Sequence, residues 1–170
     1  MKKLLLGMII FCNAYAIKEF FIGRDGIAYS LRNMRLSDKK KGHLELLGQL
    51  TECHNLGYLK YCSFYLRLNK RHIVLVIEDV NRCKIIASGT LFIERKLIHG
   101  GSFVGHIEDI VTDYNARGQG LGKIIVLRLA EYAQGSGCYK VILDCAKSNI
   151  PFYEKCGFMH KGSEMELRFQ

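Results

Sequence analysis

The chain has 170 residues, of which 49% are hydrophobic and 24% are charged. This length suits one compact domain, and this composition excludes an intrinsically disordered chain, which would be poor in apolar residues. The net charge of +9 would suit an anionic ligand or nucleic acid. Basic runs such as DKKKGH, however, lack the interleaved aromatic residues of a base-stacking surface. We therefore expect a single folded domain that does not bind nucleic acid.

The first sixteen residues, MKKLLLGMIIFCNAYA, have the form of a secretory signal peptide: two lysines, an apolar run and a small-residue ending. The apolar run is too short to span a bilayer. Of the seven cysteines, six would remain after cleavage and could pair in an oxidising compartment. Several of those six lie in patterns typical of core strands or helices, where free thiols pack as small hydrophobes. Residues 1–16 are therefore either a targeting signal or an extension, and residues 17–170 form the domain.

Hydrophobic periodicity and turn residues predict alternating helices and strands along the domain. In chain order, the elements are a strand at 27–34, a helix from the cap residues Ser37 and Asp38 to about Cys53, a helix at 58–69, two strands within 72–96 joined by a turn near Asn81, a strand at 104–112, a helix to about Gln134, a strand at 139–145, a short helix at 151–156 ended by Gly157, and a strand at 165–169. The apolar run at 139–145 is typical of a buried central strand. This order predicts an α/β domain with helices on the faces of a mixed sheet.

The most informative stretch is ARGQGLGKII, at residues 116–125, where glycines alternate at 118, 120 and 122. Arg117 and Ile124 stand where a Walker loop needs Gly and Ser or Thr, and Lys123 stands where the dinucleotide fingerprint needs its third glycine. Glycines nevertheless let the backbone approach a ligand closely, and the N–H groups that open a helix attract an anion. The turn is therefore either a phosphate or diphosphate cradle or a glycine-rich turn without a ligand, and the flanking cations favour the cradle.

The pattern Arg117-x-x-Gly120-x-Gly122 after a strand resembles the acetyl-coenzyme A signature of the GNAT superfamily of N-acetyltransferases, R/Q-x-x-G-x-G/A. Between about Ile93 and Phe169, five blocks are similar to those of the eukaryotic glucosamine 6-phosphate N-acetyltransferase family. These blocks are IERKLIH, GHIEDIV, GQGLGK, GCYKVILDC and FYEKCGF with EMELR. The resemblance implies a GNAT acyl-CoA N-acyltransferase fold, with a mostly antiparallel sheet and one bulged, splayed strand. It also implies acetyl transfer from acetyl-CoA to the amine of D-glucosamine 6-phosphate, a step of UDP-N-acetylglucosamine biosynthesis.

The same resemblance assigns the coenzyme contacts. The strand residues Ile110, Val111 and Thr112 pair with the pantetheine amides, as an added strand would. Asn149 and Tyr153 also fall where the family contacts coenzyme A, and Tyr153 is the expected general acid at the sulfur. The turn residues expected at the diphosphate are Arg117, Gly118, Gln119, Gly120, Leu121, Gly122 and Lys123.

Two adjacent carboxylates, Glu108 and Asp109, fall in one predicted strand, where a regular pleat would send them to opposite faces. Both reach one pocket only if the strand has a bulge, and the resemblance implies such a bulge. It places both on the sugar, where either could help remove the ammonium proton. Asp144 lies in an apolar run where an unpaired carboxylate is costly. It is therefore either a sugar ligand, as the resemblance implies, or a member of a buried ion pair.

The resemblance extends the sugar site to several further residues. The full expected set is Thr51, Lys96, Leu97, Ile98, His99, Glu108, Asp109, Ile110, Tyr139, Lys140, Asp144 and Arg168. It also implies a homodimer whose sugar pockets use both subunits, a cytoplasmic location, no stable membrane association and no metal. A secretory location would apply if residues 1–16 act as a signal. Two other functions stay open, namely a GNAT enzyme for another small amine or a peptide amine, and a non-catalytic coenzyme A-binding protein.

Overall fold

The computed structural model describes residues 17–53, 56–162 and 164–167. Within these ranges the backbone forms a six-stranded sheet flanked by helices. The strands are β1 (Lys18–Ile22), β2 (Ala28–Asn33), β3 (His72–Asp79), β4 (Lys84–Arg95), β5 (Phe103–Thr112) and β6 (Cys138–Ile142). The helices are α1 (His43–Leu47), α2 (Tyr58–Arg67), α3 (Leu121–Gly135) and α4 (Ile150–Glu154), with 3-10 turns at Leu36–Lys41, His99–Gly101, Tyr114–Ala116 and Lys147–Asn149. In this described part of the chain, every helix is too short or too polar to cross a bilayer.

The six strands lie side by side in chain order. Neighbours from β1 to β5 are antiparallel, whereas β6 runs parallel to β5 after the crossover through α3. This mixed and mostly antiparallel sheet was expected from the sequence and is confirmed. The ladder between β5 and β6 extends only from Phe103 to His106 on β5. Beyond His106, the remaining residues of β5 have no partner on β6, because β6 ends at Ile142.

Apolar side chains cover both faces of the sheet: β3 is buried at every residue after His72, and successive side chains of a strand point to opposite faces. On one face, α3 buries Ile125, Val126 and Leu129 against the strands. On the other face, α1 and α2 bury Leu46 and Tyr61 in a second cluster. The chain thus carries helices on both faces, and the turn that leads into α3 begins at the end of β5.

The hairpin of β3 and β4, the helices α2, α3 and α4, and the strands β2 and β5 confirm the sequence predictions. The single helix expected from Ser37 to Cys53 is wrong. Gly42 adopts a left-handed φ of 81° and separates a 3-10 turn from the short α1. The Asp38 carboxylate accepts from the Arg35 N–H at 2.7 Å and so caps the 3-10 turn, although no single long helix follows. Asp38 is also fully buried, and its carboxylate is bonded to the Arg32 guanidinium at 2.6 and 2.8 Å.

The observed strands differ from the predicted ones in three places. β1 was missed because its outward side chains, Phe20 and Ile22, are apolar and exposed, so the segment lacks polar alternation. The prediction of a buried central strand at 139–145 is wrong, because β6 ends at Ile142 and lies at the edge of the sheet. Residues 164–167 have no regular structure, and the rest of the strand predicted at 165–169 lies outside the described residues.

A buried histidine joins α1 to α2 and the sheet. His43 Nδ1 lies 3.1 Å from Tyr61 Oη, and His43 Nε2 lies 2.9 Å from Ser88 Oγ. Burial lowers the pKa of His43 to about 4, so the ring is neutral at pH 7. The unfolded chain, with an ordinary histidine pKa near 6.5, takes up this proton more readily.

This histidine is expected to make the free energy of unfolding depend on pH. Stability is fully present above pH 6.5 and is lost as the pH falls towards 4, by about 3 kcal/mol for a shift of this size. Urea unfolding of wild type and His43→Gln at pH 7.5 and 4.5 checks this. The variant, which lacks the titrating ring, should lose less stability between the two pH values. Equal losses in the two proteins would contradict the assignment.

Candidate active site

The ladder between β4 and β5 is interrupted at Gly89, which faces two residues of β5, Asp109 and Ile110. The flanking pairs are Ser88 with Val111 and Thr90 with Glu108. Asp109 has a φ of 53°, in the left-handed region that non-glycine residues seldom adopt. The expected bulge is therefore confirmed, and it removes the strict alternation that would have separated Glu108 from Asp109.

Carboxylates from three segments meet beside this bulge. Burial raises the pKa of Glu108, and the charges of Asp109, Asp144 and Glu164 raise it further. Asp144 was expected inside an apolar strand, which is wrong: it follows the end of β6 and is exposed. Because Asp144 is exposed, its charge has no burial cost that a ligand role would have to explain. Its charge still acts on Glu108. Burial and these three charges therefore favour the protonated form of the Glu108 carboxyl, which raises its pKa.

Gly89 is needed for the packing under the bulge. A Cβ atom at Gly89 would lie 2.5 Å from Ile110 Cδ1 and 2.5 Å from Ile125 Cγ2. Gly89→Ala should therefore lower the free energy of unfolding by about 1–3 kcal/mol, because the overpacked core has to shift. Gly135→Ala is the matched control, since a Cβ at Gly135 meets open space and alanine favours a helix. Urea unfolding that shows no loss for Gly89→Ala would contradict this packing.

The glycine turn before α3 has the geometry of an anion cradle. Gly118 and Gly120 have left-handed φ values of 82° and 83°, and Cβ atoms at both would enter open space. Gly122 packs close to β5, since a Cβ there would lie 3.2 Å from Thr112 Oγ1. Gly120 is the N-terminal cap of α3 and has no side chain to bond the first N–H groups of the helix. These N–H groups and the positive end of a 15-residue helix are the groups that hold phosphate oxygens.

The two cations of the turn are held differently. Arg117 stacks on Tyr114, with its Cζ atom 4.0 Å from the ring centroid, and its Nε–H donates to the Thr112 carbonyl at 3.2 Å. Lys123 Nζ donates to the main-chain carbonyl of Lys155 at 2.7 Å. Lys123 therefore fastens α4 to the start of α3, and Arg117 stays beside the turn.

Tyr153 lies on α4 between two aromatic rings. Its ring centroid is 4.9 Å from that of Phe152 and 6.0 Å from that of Phe158. Burial raises the pKa of Tyr153 to about 12, and the neighbouring Cys145, Cys156 and Glu108 contribute to the increase. The hydroxyl is therefore protonated at neutral pH and lies in the field of the Glu108 carboxylate. This arrangement suits a group that donates a proton.

The two cysteines beside Tyr153 are poor candidates for a covalent acyl carrier. Burial raises the pKa of Cys145 and of Cys156, and the charge of Asp144 raises that of Cys145 further. A thiol of raised pKa holds little thiolate, which is the nucleophilic form. The site therefore favours direct transfer between two bound substrates.

A second group of expected residues meets at the edge strand. The rings of His99 and Tyr139 are 4.5 Å apart, and Lys140 Nζ lies 5.6 Å from the Tyr139 ring centroid. Lys96 Nζ is bonded to Glu94 Oε2 at 2.5 Å. Leu97 and Ile98, between Lys96 and His99, are exposed, with Leu97 fully so. This edge thus combines positive charge with an aromatic surface.

Two other expected residues are exposed, and a third lies in a part of the chain that the structure does not describe. Asn149 ends the 3-10 turn before α4 and is exposed. Thr51 is exposed in the segment after α1, where its N–H donates to Leu47 O at 3.4 Å. Arg168 lies outside the described residues.

Sequence reasoning missed the residues that support Arg117. Asp113 is buried directly after β5, and its carboxylate caps the turn that carries Tyr114. An aspartate between a strand and a turn is a recognisable signal for this type of cap. Gln49, which bonds both residues, has no such signal because its partners are distant in sequence.

Comparison with known proteins agrees with this geometry. The acetyltransferase (GNAT) family matches residues 31–158. A probable glucosamine 6-phosphate N-acetyltransferase 2 from Oryza sativa subsp. japonica is 41% identical over 153 residues, which are 87% of this chain and 92% of that protein. The crystal structure of glucosamine-6-phosphate N-acetyltransferase from Arabidopsis thaliana has a TM-score of 0.82 and 39% identity, and the match covers 84% of this chain and 99% of that one. By family match, sequence identity and fold, the chain belongs to the GNAT family of acetyltransferases.

Proposed function

We propose that this protein transfers the acetyl group of acetyl-CoA to the amine of D-glucosamine 6-phosphate, giving N-acetyl-D-glucosamine 6-phosphate and coenzyme A. The observation that carries the proposal is the identity of about two residues in five with relatives of that name, over more than four-fifths of the chain. The local geometry supplies a place for the donor, the acceptor and the proton transfers.

The proposed donor site is supported by the glycine turn and by the part of β5 beyond β6. The space in front of Gly118 and Gly120 is open, and a diphosphate there would be bound by the helix N–H groups and Arg117. Past His106, β5 has main-chain groups that do not pair with β6. An extended chain of amides such as pantetheine pairs with such an edge as an added strand does. This direction brings the thioester towards Glu108 and Tyr153.

The acceptor site follows from the charges around the bulge. The carboxylates of Glu108, Asp109 and Asp144 suit an ammonium group and sugar hydroxyls. Lys140 and the His99–Tyr139 pair, at the edge strand, suit the 6-phosphate and the face of the sugar ring. A polyamine acceptor is itself positively charged, so these basic groups would not help to bind it.

The chemistry then needs three proton transfers and no covalent enzyme intermediate. Glu108 or Asp109 takes a first proton from the ammonium group, and the neutral nitrogen attacks the thioester carbonyl. The C–S bond breaks as the C–N bond forms, and Tyr153 gives its proton to the departing thiolate. The nitrogen loses its second proton as the amide forms, and this proton restores the Tyr153 hydroxyl. Positioning both substrates in one site contributes much of the rate increase.

We further propose that two chains form the working unit, with sugar pockets shared between subunits. The support is a group of exposed apolar side chains that lie, in sequence, among or within a few positions of residues expected at the acceptor site. They are Leu97, Ile98, Met165 and Leu167. Such exposed side chains favour a partner surface over free solvent.

A thiol-release assay with acetyl-CoA and a series of amines tests the proposed reaction. Glucosamine 6-phosphate should be acetylated far faster than glucosamine, spermidine or a peptide amine. Lys140→Met should raise the KM for glucosamine 6-phosphate about tenfold, because a charged hydrogen bond to phosphate is lost. Lys18→Met, on the opposite edge strand, is the control. Preference for an amine without phosphate would overturn the proposed acceptor.

A further inference from the structure

Residues 113–117 connect β5 to the glycine turn, and a buried carboxylate fixes their start. Asp113 is 3% exposed. Its Oδ1 accepts from the Asn115 N–H at 3.0 Å, and its Oδ2 accepts from Lys84 Nζ at 2.7 Å. Burial acts to raise the pKa of Asp113, but these bonds hold it below its ordinary value. The carboxylate is therefore ionised at neutral pH and keeps its partners.

Gln49, in the segment that follows α1, bonds the same loop at three points. Its Oε1 accepts from the Tyr114 N–H at 3.0 Å, and its Nε2 donates to Asp113 Oδ2 at 3.3 Å. Its main-chain carbonyl accepts from Tyr114 Oη at 3.3 Å. Because the amide uses both its acceptor and its donor, its orientation is fixed by its partners. The segment after α1 and the loop after β5 are thus joined through one side chain.

Tyr114 passes this constraint to Arg117. The Tyr114 ring is 59% exposed, so packing in the core does not fix it, and its main chain and hydroxyl are both bonded to Gln49. The Arg117 guanidinium stacks on this ring and bonds Thr112 O through Nε. One face and one nitrogen of the guanidinium are therefore used in holding it, and its terminal nitrogens are the groups left for a bidentate contact with an anion.

We propose that Gln49 is a positioning residue for coenzyme binding: through Tyr114 it holds Arg117 beside the glycine turn, in the orientation that receives the diphosphate. The proposal rests on the proposed use of acetyl-CoA. Gln49 touches neither substrate, and its effect is transmitted through the loop. If Gln49 only stabilised the fold, its loss would lower activity equally with every acetyl donor. If Gln49 positions Arg117, its loss lowers activity only with donors that carry the diphosphate.

The test compares a donor that has the diphosphate with one that lacks it. Gln49→Met keeps the length of the side chain and removes both amide bonds. With acetyl-CoA, kcat/KM should fall about tenfold through KM, whereas with S-acetylpantetheine it should stay within about twofold of wild type. Calorimetric titration with coenzyme A should show about a tenfold weaker Kd. Gln134→Met, at the exposed end of α3, is the matched control and should behave as wild type.

Tyr114→Ala provides a second variant at an exposed position, for the case that Gln49→Met unfolds. It removes the stacking surface of Arg117 and should give the same selective loss with acetyl-CoA. Equal losses with both donors, or no loss with either, would overturn the positioning role. If Gln49→Met weakens coenzyme A binding but the wild-type enzyme does not acetylate amino sugar phosphates, the positioning role of Gln49 is supported and the proposed acceptor is rejected. A wild-type protein that does not bind coenzyme A would overturn both proposals.

Discussion

Tyr153→Phe is expected to lower kcat about a hundredfold while KM for both substrates changes little, because the proposed general acid is lost and the ring packing is kept. The aromatic contacts to Phe152 and Phe158 hold the ring in place without its hydroxyl. The neighbouring thiols, Cys145 and Cys156, have raised pKa values and are poor substitutes for a positioned phenol. Steady-state kinetics with acetyl-CoA and glucosamine 6-phosphate measures the effect.

The pH profile gives a second check on the same group. A general acid has to be protonated, so activity is lost as the pH rises through its pKa. Since the pKa of Tyr153 is raised to about 12, kcat should show no alkaline decline up to about pH 10, where an ordinary tyrosine would already be half ionised. Tyr58→Phe, on the exposed start of α2, is the control. A Tyr153→Phe enzyme with unchanged kcat would remove this residue from the chemistry.

Glu108→Gln is the second large effect, with kcat/KM expected to fall about a hundredfold. Glu108 is the carboxylate whose pKa is raised, by burial first and then by the charges of Asp109 and Asp144. A base of raised pKa takes a proton more readily from an ammonium group near neutral pH. Glutamine keeps the size and one acceptor oxygen but cannot take the proton.

The decline of kcat/KM at low pH tests whether Glu108 is the base. The base has to be ionised, so kcat/KM falls as the pH drops through its raised pKa. Glu164→Gln removes one of the negative charges that raise this pKa and should move the decline to lower pH, whereas Glu131→Gln, on α3, should not. Asp109→Asn is informative because asparagine tolerates the left-handed φ of the bulge. An acid decline that survives in Glu108→Gln and disappears in Asp109→Asn would assign the base to Asp109.

The main-chain geometry of the glycine turn and of the bulge could be predicted better than the contacts that support them. Alternate glycines after a strand indicate a turn that a ligand can approach closely, and Gly118 and Gly120 have left-handed φ values with open space where a Cβ would lie. Glu108 and Asp109 can reach one pocket only if their strand has a bulge, which the family resemblance implies, and the bulge is present. These signals are local, because each is contained within a few consecutive residues.

What failed depended on neighbours that are distant in the chain. The apolar run at 139–145 does not reveal that β6 lies at an edge, since strand order is set by the whole topology. The burial of Asp38 against Arg32 cannot be seen from its own segment, so the sequence predicts only its capping role. Gln49 has an ordinary context in sequence, and its partners lie 64 and 65 positions away.

The end of the ladder between β5 and β6 has a consequence for how such an enzyme can diversify. β6 ends at Ile142, opposite His106, and β5 continues with main-chain groups that β6 does not pair. Side-chain substitutions other than to proline keep these N–H and C=O groups. The proposed donor site would therefore be kept while Tyr139, Lys140 and Asp144 change, so new acceptors could be reached without rebuilding the part of the site proposed to hold the acetyl group.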